Sequence, residues 1–390
     1  MITGRDFIIT SLQPWDIKIG STIKNTALEI SKHNRVLYIS TPMNYFEWRK
    51  ATQNKRQGEI RQINKNMWVV DFPFPVIPLN KIPGTWLFDK INKINNKKIA
   101  KGILKVAHEL NFQNFIHLID TDIYRSQYLK ELLKPDLSIY YCRDFVIGTD
   151  YWKKNGPRLE PLLAAKSDIV LTNSSLFAER FKEYNPNTYA IETGVNLELY
   201  DYENSRNTPD DIKNIPHPIV GYTGAVITLR LDIELIYQVA SQMPQVQFVF
   251  IGPTDKEFEH HQLRQLSNIH FLGSKPVNML PAYIQSFDVC INPQIVNEIT
   301  IGNYPLKIDE YLAMGKPIVA TSTHTMQDIF KDYVTLASNS EEYIQAINNT
   351  LTEKEDTSRI ENRVAFARTH SWTNSVNKIY RAIENMRQKK

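Results

Sequence analysis

The chain has 390 residues, 42% apolar and 23% charged, with 14 glycines and 20 prolines, a balance that excludes disordered, collagenous and low-complexity classes. At roughly 150 residues per domain the length suits two domains, each able to bury its own core. Net charge is +4, which splits into +8 over residues 1–200 and −4 over residues 201–390.

From the N-terminus, MITGRDFIITSLQPW carries an apolar run of only Phe7, Ile8 and Ile9, too short for a signal peptide. No stretch approaches the ~18 apolar residues of a membrane span, so a cytoplasmic location is expected. Apolar runs then predict strands at 7–12, 36–40, 68–72, 115–119, 137–141, 169–172 and 189–191. Amphipathic runs between them predict helices at 21–32, 86–110, 123–133, 159–166 and 174–183. Residues 201–218, rich in Asn, Asp and Pro, read as a linker. The pattern then restarts, with strands at 219–223, 246–251, 269–271, 289–291, 318–320 and 334–336 and helices near 233–242, 278–285 and 306–314. Strands alternating with helices imply parallel sheets covered on both faces, hence two doubly wound α/β domains whose sheets bind ligands at their carboxyl ends. The two cysteines, Cys142 and Cys290, fall in apolar strand-like runs and read as buried thiols of a reducing compartment.

The positive charge concentrates in residues 49–105, which hold 13 basic and 3 acidic residues. One cluster comprises Arg49, Lys50, Lys55, Arg56, Arg61 and Lys65; the other comprises Lys90, Lys93, Lys97, Lys98, Lys101 and Lys105. The second lies on a helical run in which Trp86, Leu87, Ile91, Ile94, Ile103, Leu104 and Ala107 can form one apolar face. Such a segment suits an anionic membrane surface, or equally a core-packed helix with a solvated basic face. No nucleic-acid-binding signature accompanies the charge.

The densest polar constellation is NEITIGNYPLKIDEYLAMGKPIVAT, residues 297–321. A loop leads through Asn303 to Pro305 and a helix carrying Lys307 and Glu310 at i and i+3, on one face. Free N–H groups at the helix start suit a diphosphate, Lys307 adds positive charge, and Glu310 can accept two ribose hydroxyls. On spacing alone the pair reads equally well as a surface salt bridge.

PLKIDEYLAMGKPIVAT resembles the donor-binding segment of GT-B glycosyltransferases of family four. Further segments agree in order: GYTGAVITLRLDIELI, FVFIGP, HFLGSKPVNMLPAYIQSFDVCINP, and a tail HSWTNSVNKIYRAIENM similar to the terminal helix that crosses back to the first domain. The nearest subset is the bacterial surface-polysaccharide transferases, those of teichuronic acid type included. The resemblance implies a GT-B fold of two Rossmann-like domains facing a cleft. Residues 1–200 would take the acceptor, 201–218 would link, 219–369 would take the nucleotide-sugar donor, and 370–390 would cross back. It implies a metal-independent hexosyltransferase with no cofactor beyond a UDP- or GDP-linked donor. It further implies that Glu310 contacts the ribose, Lys307 neighbours the diphosphate, Gly224 lets the backbone approach the phosphates, and Arg230 neutralises the leaving nucleotide. The family's acidic residue eight positions before the helix glutamate is replaced by Gly302, leaving Glu298 or Asn303 to contact the sugar. The strand end at residues 271–273 is expected to read the nucleobase through backbone groups.

Glycosyl transfer builds negative charge on the departing diphosphate, so fixed dipoles and cations should supply most of the stabilisation. An inverting reaction also needs a general base. First-domain candidates at strand ends are Asp144, Asp16 and His117, each with a structural alternative as a cap, a turn residue or a core histidine. Asp120-Thr121-Asp122 spells a metal-anchoring DxD triplet, but its place after the strand FIHLI reads as a turn capping the next helix. The expected acceptor is a lipid-linked glycan, with the basic region holding the chain at the inner membrane face. Two rival readings are a sugar-nucleotide epimerase of the same fold and a non-catalytic partner subunit. A dehydrogenase is excluded because GYTG lacks the third glycine of its fingerprint.

Overall fold

The computed structural model describes residues 1–17, 20–52, 58–353 and 356–388. Lys55 and Arg56 of the first basic cluster lie outside these residues. The chain divides into two compact units: Met1–Glu192 with the chain from Ser375 onward, and Thr193–Asn374.

The first unit runs β1 (Asp6–Ser11), α1 (Thr22–Ser31), β2 (Arg35–Ile39), α2 (Tyr45–Lys50), β3 (Glu59–Asn64), β4 (Met67–Asp71), α3 (Thr85–Glu109), β5 (Ile116–Asp120), α4 (Leu129–Leu133), β6 (Leu137–Cys142), α5 (Gly156–Lys166), β7 (Ile169–Thr172), α6 (Ser175–Lys182) and β8 (Thr188–Ala190). Among the described residues these strands form one sheet in the order β3-β4-β2-β1-β5-β6-β7-β8, parallel except at the β3–β4 pair. β1, β5 and β6 are buried along their whole length, as a sheet covered on both faces requires. The strand order reverses between β1 and β5, where Ser11 and Asp120 stand opposite each other in register.

The second unit runs β9 (Ile219–Thr223), α7 (Ile233–Gln242), β10 (Gln247–Ile251), α8 (Lys256–His260), β11 (Ile269–Gly273), α9 (Leu280–Gln285), β12 (Val289–Asn292), α10 (Leu306–Ala313), β13 (Ile318–Thr321), β14 (Thr335–Ala337), α11 (Ser340–Thr352) and α12 (Thr357–Thr369). Its all-parallel sheet has the order β11-β10-β9-β12-β13-β14, reversing between β9 and β12. Helix and sheet approach closely beneath β9: a Cβ on Gly221 would meet the Phe287 ring at 2.2 Å. The last helix, α13 (Trp372–Gln388), packs Val376, Ile379, Tyr380 and Ile383 into the first unit's core beside Phe7, Ile9 and Val36. Asn34 Nδ2 donates to the Tyr380 hydroxyl there at 2.8 Å.

Three expectations change. The break between the units falls at Glu192/Thr193 rather than at residues 201–218, and Ile212 of that polar stretch is buried in the second unit's core. The helix expected at 123–133 begins only at Leu129. Thr121 takes a left-handed φ of +55°, and Asp122 accepts the Arg125 N–H at 3.2 Å, so residues 121–128 form turns. The antiparallel edge strand β3 is additional; its mostly exposed EIRQIN carries no clean alternation to announce it.

Candidate functional site

In the second unit, glycine shapes the ends of β9, which borders the switch point, and of its neighbour β10. Gly224 follows β9 with φ +135°, and a Cβ there would lie 3.1 Å from both the Lys307 side chain and the Tyr222 hydroxyl. Gly252 follows β10 with φ +152°, and its Cβ would lie 1.7 Å from the Gly224 carbonyl oxygen. Gly224 N–H donates to the Ile251 carbonyl at 2.9 Å, and Gly252 N–H donates to that of Gly273 at 3.0 Å. The result is a bare backbone shelf that no side chain can occupy without displacing it.

Helix α10 is fastened to this shelf. The buried Tyr311 hydroxyl accepts the Thr223 N–H at 2.7 Å and meets Thr223 Oγ1 at 3.1 Å. On the helix's other side, Asp309 accepts from the Tyr304 hydroxyl at 2.6 Å and pairs with His370 Nδ1 at 2.8 Å. Consecutive helical residues diverge by about 100°, so anchoring Asp309 and Tyr311 fixes the direction of the intervening Glu310. Pro305 precedes the first turn and no side chain caps it, leaving the positive end of the helix for an anion.

Two charged side chains project from this helix. Lys307 Nζ lies 4.9 Å from the centre of the Tyr222 ring. Burial raises the pKa of Glu310 from 4.5 to about 7, opposed by the Lys307 ammonium and the Tyr200 hydroxyl. Tyr200 is itself buried, its hydroxyl beside that carboxylate without a well-formed hydrogen bond. Asn303, 4% exposed, has neither amide atom hydrogen-bonded within the described residues. An amide buried in that state costs about 1–3 kcal/mol unless a ligand satisfies it.

The structure therefore brings Gly224, Lys307 and Glu310 together, with Asn303 just before the same helix. Arg230 is half-buried on a loop bordering the shelf; its carbonyl accepts the Ile295 N–H at 3.1 Å. Glu298 is exposed in a turn whose Asn297 side chain accepts the N–H groups of Ile299 and Thr300 at 2.9 and 3.1 Å. At the β11 end the Gly273 carbonyl accepts the Gly252 N–H at 3.0 Å, and the Arg264 guanidinium lies 4.3 Å from the Phe271 ring. Tyr200, Asp309 and His370 were not among the sequence candidates. Asp309 adjoins the chosen glutamate, and His370 opens the tail segment, but their pairing across 61 residues is a tertiary contact.

The first-unit candidates fare unequally. His117 is fully buried in β5 with Nε2 3.1 Å from Thr10 Oγ1, and burial lowers its pKa to about 3. A histidine sealed in a sheet cannot receive a proton from a substrate, which removes it from the catalytic set. Asp16 is exposed, but Arg61 Nη1 and Nη2 hold its two oxygens at 3.0 and 2.9 Å. Asp144 lies half-buried just beyond β6. Of the DxD triplet, Asp120 is taken up by Ser11 Oγ at 2.6 Å and by Arg143 at 3.0 Å, while Asp122 pairs with Arg125 at 3.3 Å.

Residues 217–353 match the family of glycosyl transferases group 1. Over its full length the backbone resembles GT-B enzymes. The matched segment thus lies within a chain of GT-B fold. A sucrose-phosphate synthase from Thermosynechococcus elongatus superposes with a TM-score of 0.71 at 14% identity, covering 99% of this chain and 100% of that one. Anabaena Alr3699/HepE, solved in complex with UDP, gives 0.69 at 15% identity over 98% and 100%. At these identities the likeness establishes the fold. In sequence the chain is 27% identical over 189 residues to TuaH of Bacillus subtilis (strain 168), a teichuronic acid biosynthesis glycosyltransferase. That match spans 47% of each chain, so about half of the relative's length. The glycine shelf and α10 both lie inside the segment that matches the group 1 family.

Proposed function

We propose that this GT-B protein transfers a sugar from a UDP- or GDP-linked donor to a glycan acceptor carried on a lipid, in the synthesis of a cell-surface polysaccharide. One arrangement carries the reading: the shelf of Gly224 and Gly252 faces an uncapped helix start bearing Lys307 and Glu310. The bond from the anomeric carbon to the diphosphate oxygen breaks, and an acceptor hydroxyl oxygen takes its place as its proton departs. Charge appearing on the diphosphate meets backbone N–H groups, the helix dipole and Lys307, with Arg230 reaching the same anion. The ionised Glu310 accepts ribose hydroxyls, and the amide of Asn303 is assigned to the sugar. No metal or other cofactor is assigned a part. Where the transfer inverts the anomeric centre, Asp144 is the proposed base. HepE complexes with UDP-glucose, and the teichuronic acid relative, support the choice of donor and of product class. The basic region 49–105 is proposed to hold the chain at an anionic membrane surface; no helix among the described residues is long and apolar enough to cross one.

Thermal stabilisation by UDP, GDP and their sugars tests the donor site. A ligand at about 100 times its Kd adds ~2.7 kcal/mol. One nucleotide should stabilise the wild type and fail on Glu310→Ala; equal shifts in both proteins would refute the site. Donor hydrolysis or isomerisation without any acceptor would favour the epimerase.

A further inference from the structure

Helix α3 (Thr85–Glu109) packs Phe88, Ile99, Ala100, Ile103, Val106 and Ala107 into the first unit's core, yet it also buries three amides and exposes large apolar side chains. Its inner face buries Asn92, Asn95 and Asn96 alongside Ile99 and Ile103. Two of these amides are spent on the fold: Asn95 exchanges hydrogen bonds with the Ile77 backbone at 2.9 and 2.8 Å, and Asn96 bonds the Tyr124 carbonyl and the Tyr128 N–H at 2.9 and 3.0 Å. Meanwhile Trp86, Ile94, Leu104 and Leu87 are 68%, 55%, 42% and 38% exposed. The apolar residues expected on one face thus divide between two: Ile91, Ile103 and Ala107 pack in or against the core, and Trp86, Leu87, Ile94 and Leu104 do not.

The outer residues share one face. Residues 86, 90, 94, 97, 101 and 104 follow one another at steps of three or four, the spacing of a continuous helical stripe. Lys90, Lys93, Lys97, Lys98, Lys101 and Lys105 are all exposed along or beside it, and Lys90 Nζ sits 3.7 Å above the Trp86 ring. The helix's two acidic residues compete little: Asp89 is paired with Arg158 at 2.8 Å, and Glu109 closes the last turn beside Lys105. Ile77, also exposed, is held against this helix through Asn95. Large apolar side chains spaced among lysines fit neither a solvated face, which would replace them with polar residues, nor a polyanion groove, which needs no isoleucine or leucine.

We propose that the outward face of α3 docks on an anionic lipid bilayer, with Trp86, Leu87, Ile94 and Leu104 entering the headgroup boundary and the flanking lysines meeting lipid phosphates. This deepens the membrane part of the proposed function and rests on it only for the orientation of a lipid-carried acceptor. The lysines draw the helix to the surface over a Debye length, and the apolar side chains hold it where salt has screened that attraction.

The test is sedimentation of the full chain with vesicles of phosphatidylcholine alone, or of equal parts phosphatidylcholine and phosphatidylglycerol, at low and high salt. Wild type should bind the anionic vesicles strongly and retain part of that binding at high salt. Lys93→Glu/Lys97→Glu/Lys101→Glu should weaken low-salt binding on the order of a hundredfold. Trp86→Ala/Ile94→Ser/Leu104→Ser should lose the salt-resistant part, about tenfold or more. Because the replaced side chains are exposed, both variants should keep the wild-type circular dichroism and melting temperature. Absence of wild-type binding to anionic vesicles overturns the proposal, as does unchanged high-salt binding of the apolar triple variant. Preference for RNA or an acidic protein over vesicles does so too. Nucleotide-induced stabilisation of the same preparations separates the two readings, since it reports the Glu310 site and not α3.

Discussion

Glu310 makes a quantitative prediction in which stability and binding run in opposite directions with pH. Its pKa is about 7 in the folded chain against 4.5 ordinarily, so between those values the folded state holds a proton the unfolded state has lost. Stability of the free protein therefore falls as pH rises from 4.5 to 7, by about 3 kcal/mol at roughly 1.36 kcal/mol per pKa unit. On the proposed donor site, a nucleoside diphosphate sugar should recover this cost, because its ribose hydroxyls would need the ionised carboxylate as acceptor. If only the ionised form binds, the apparent Kd at pH 6 should be about tenfold weaker than at pH 8. Glu310→Gln should flatten the stability slope, raise the melting temperature of the free protein above pH 7, and bind donor weakly with no pH dependence in this range. The assay is calorimetric titration with UDP- and GDP-sugars, paired with thermal unfolding from pH 5 to pH 8.5. Equal pH dependence of donor affinity in wild type and Glu310→Gln would refute the assignment.

Lys307→Met should weaken nucleotide affinity about tenfold or more with the fold retained; the binding isotherm decides, and an unaltered Kd removes Lys307 from the diphosphate. Asn303→Ala should lower donor affinity yet leave the free protein as stable or more so, since its buried amide makes no hydrogen bond to lose; a large fall in melting temperature would mark it as structural instead. Gly252→Ala should cost several kcal/mol, because its Cβ would sit 1.7 Å from the Gly224 carbonyl oxygen at a φ of +152°; urea unfolding checks this, and a loss below ~1 kcal/mol would show that the shelf yields. His117→Phe should reduce the loss of stability on acidification, since neutral His117 contributes stability that disappears as pH falls from 6.5 towards about 3; unchanged acid unfolding would place the sensitivity elsewhere.

Local signals in the sequence carried the architecture. Apolar runs of five or six residues between amphipathic stretches are legible because a buried parallel strand has no polar positions and a covering helix has one apolar stripe. Their ends moved by a residue or two, as with β1, which spans Asp6–Ser11 rather than 7–12. Helix α11 was equally legible, with Tyr343, Ala346 and Ile347 at i, i+3 and i+4, although it was not among the expected helices. Lys307 and Glu310 stood out because an i, i+3 pair shares a face whatever surrounds it. Burial, by contrast, depends on neighbours far along the chain. It neutralised His117, lifted the pKa of Glu310 under Tyr200, and joined Asp309 to His370. The tertiary structure alone decided which side of α3 meets the core, because Asn95 and Asn96 found backbone partners at Ile77, Tyr124 and Tyr128. Periodicity assigns apolar residues to the inside by default. A buried amide with all its hydrogen bonds made can share that inner face with Phe88, Ile99 and Ile103, and no pattern of residues along one helix announces it.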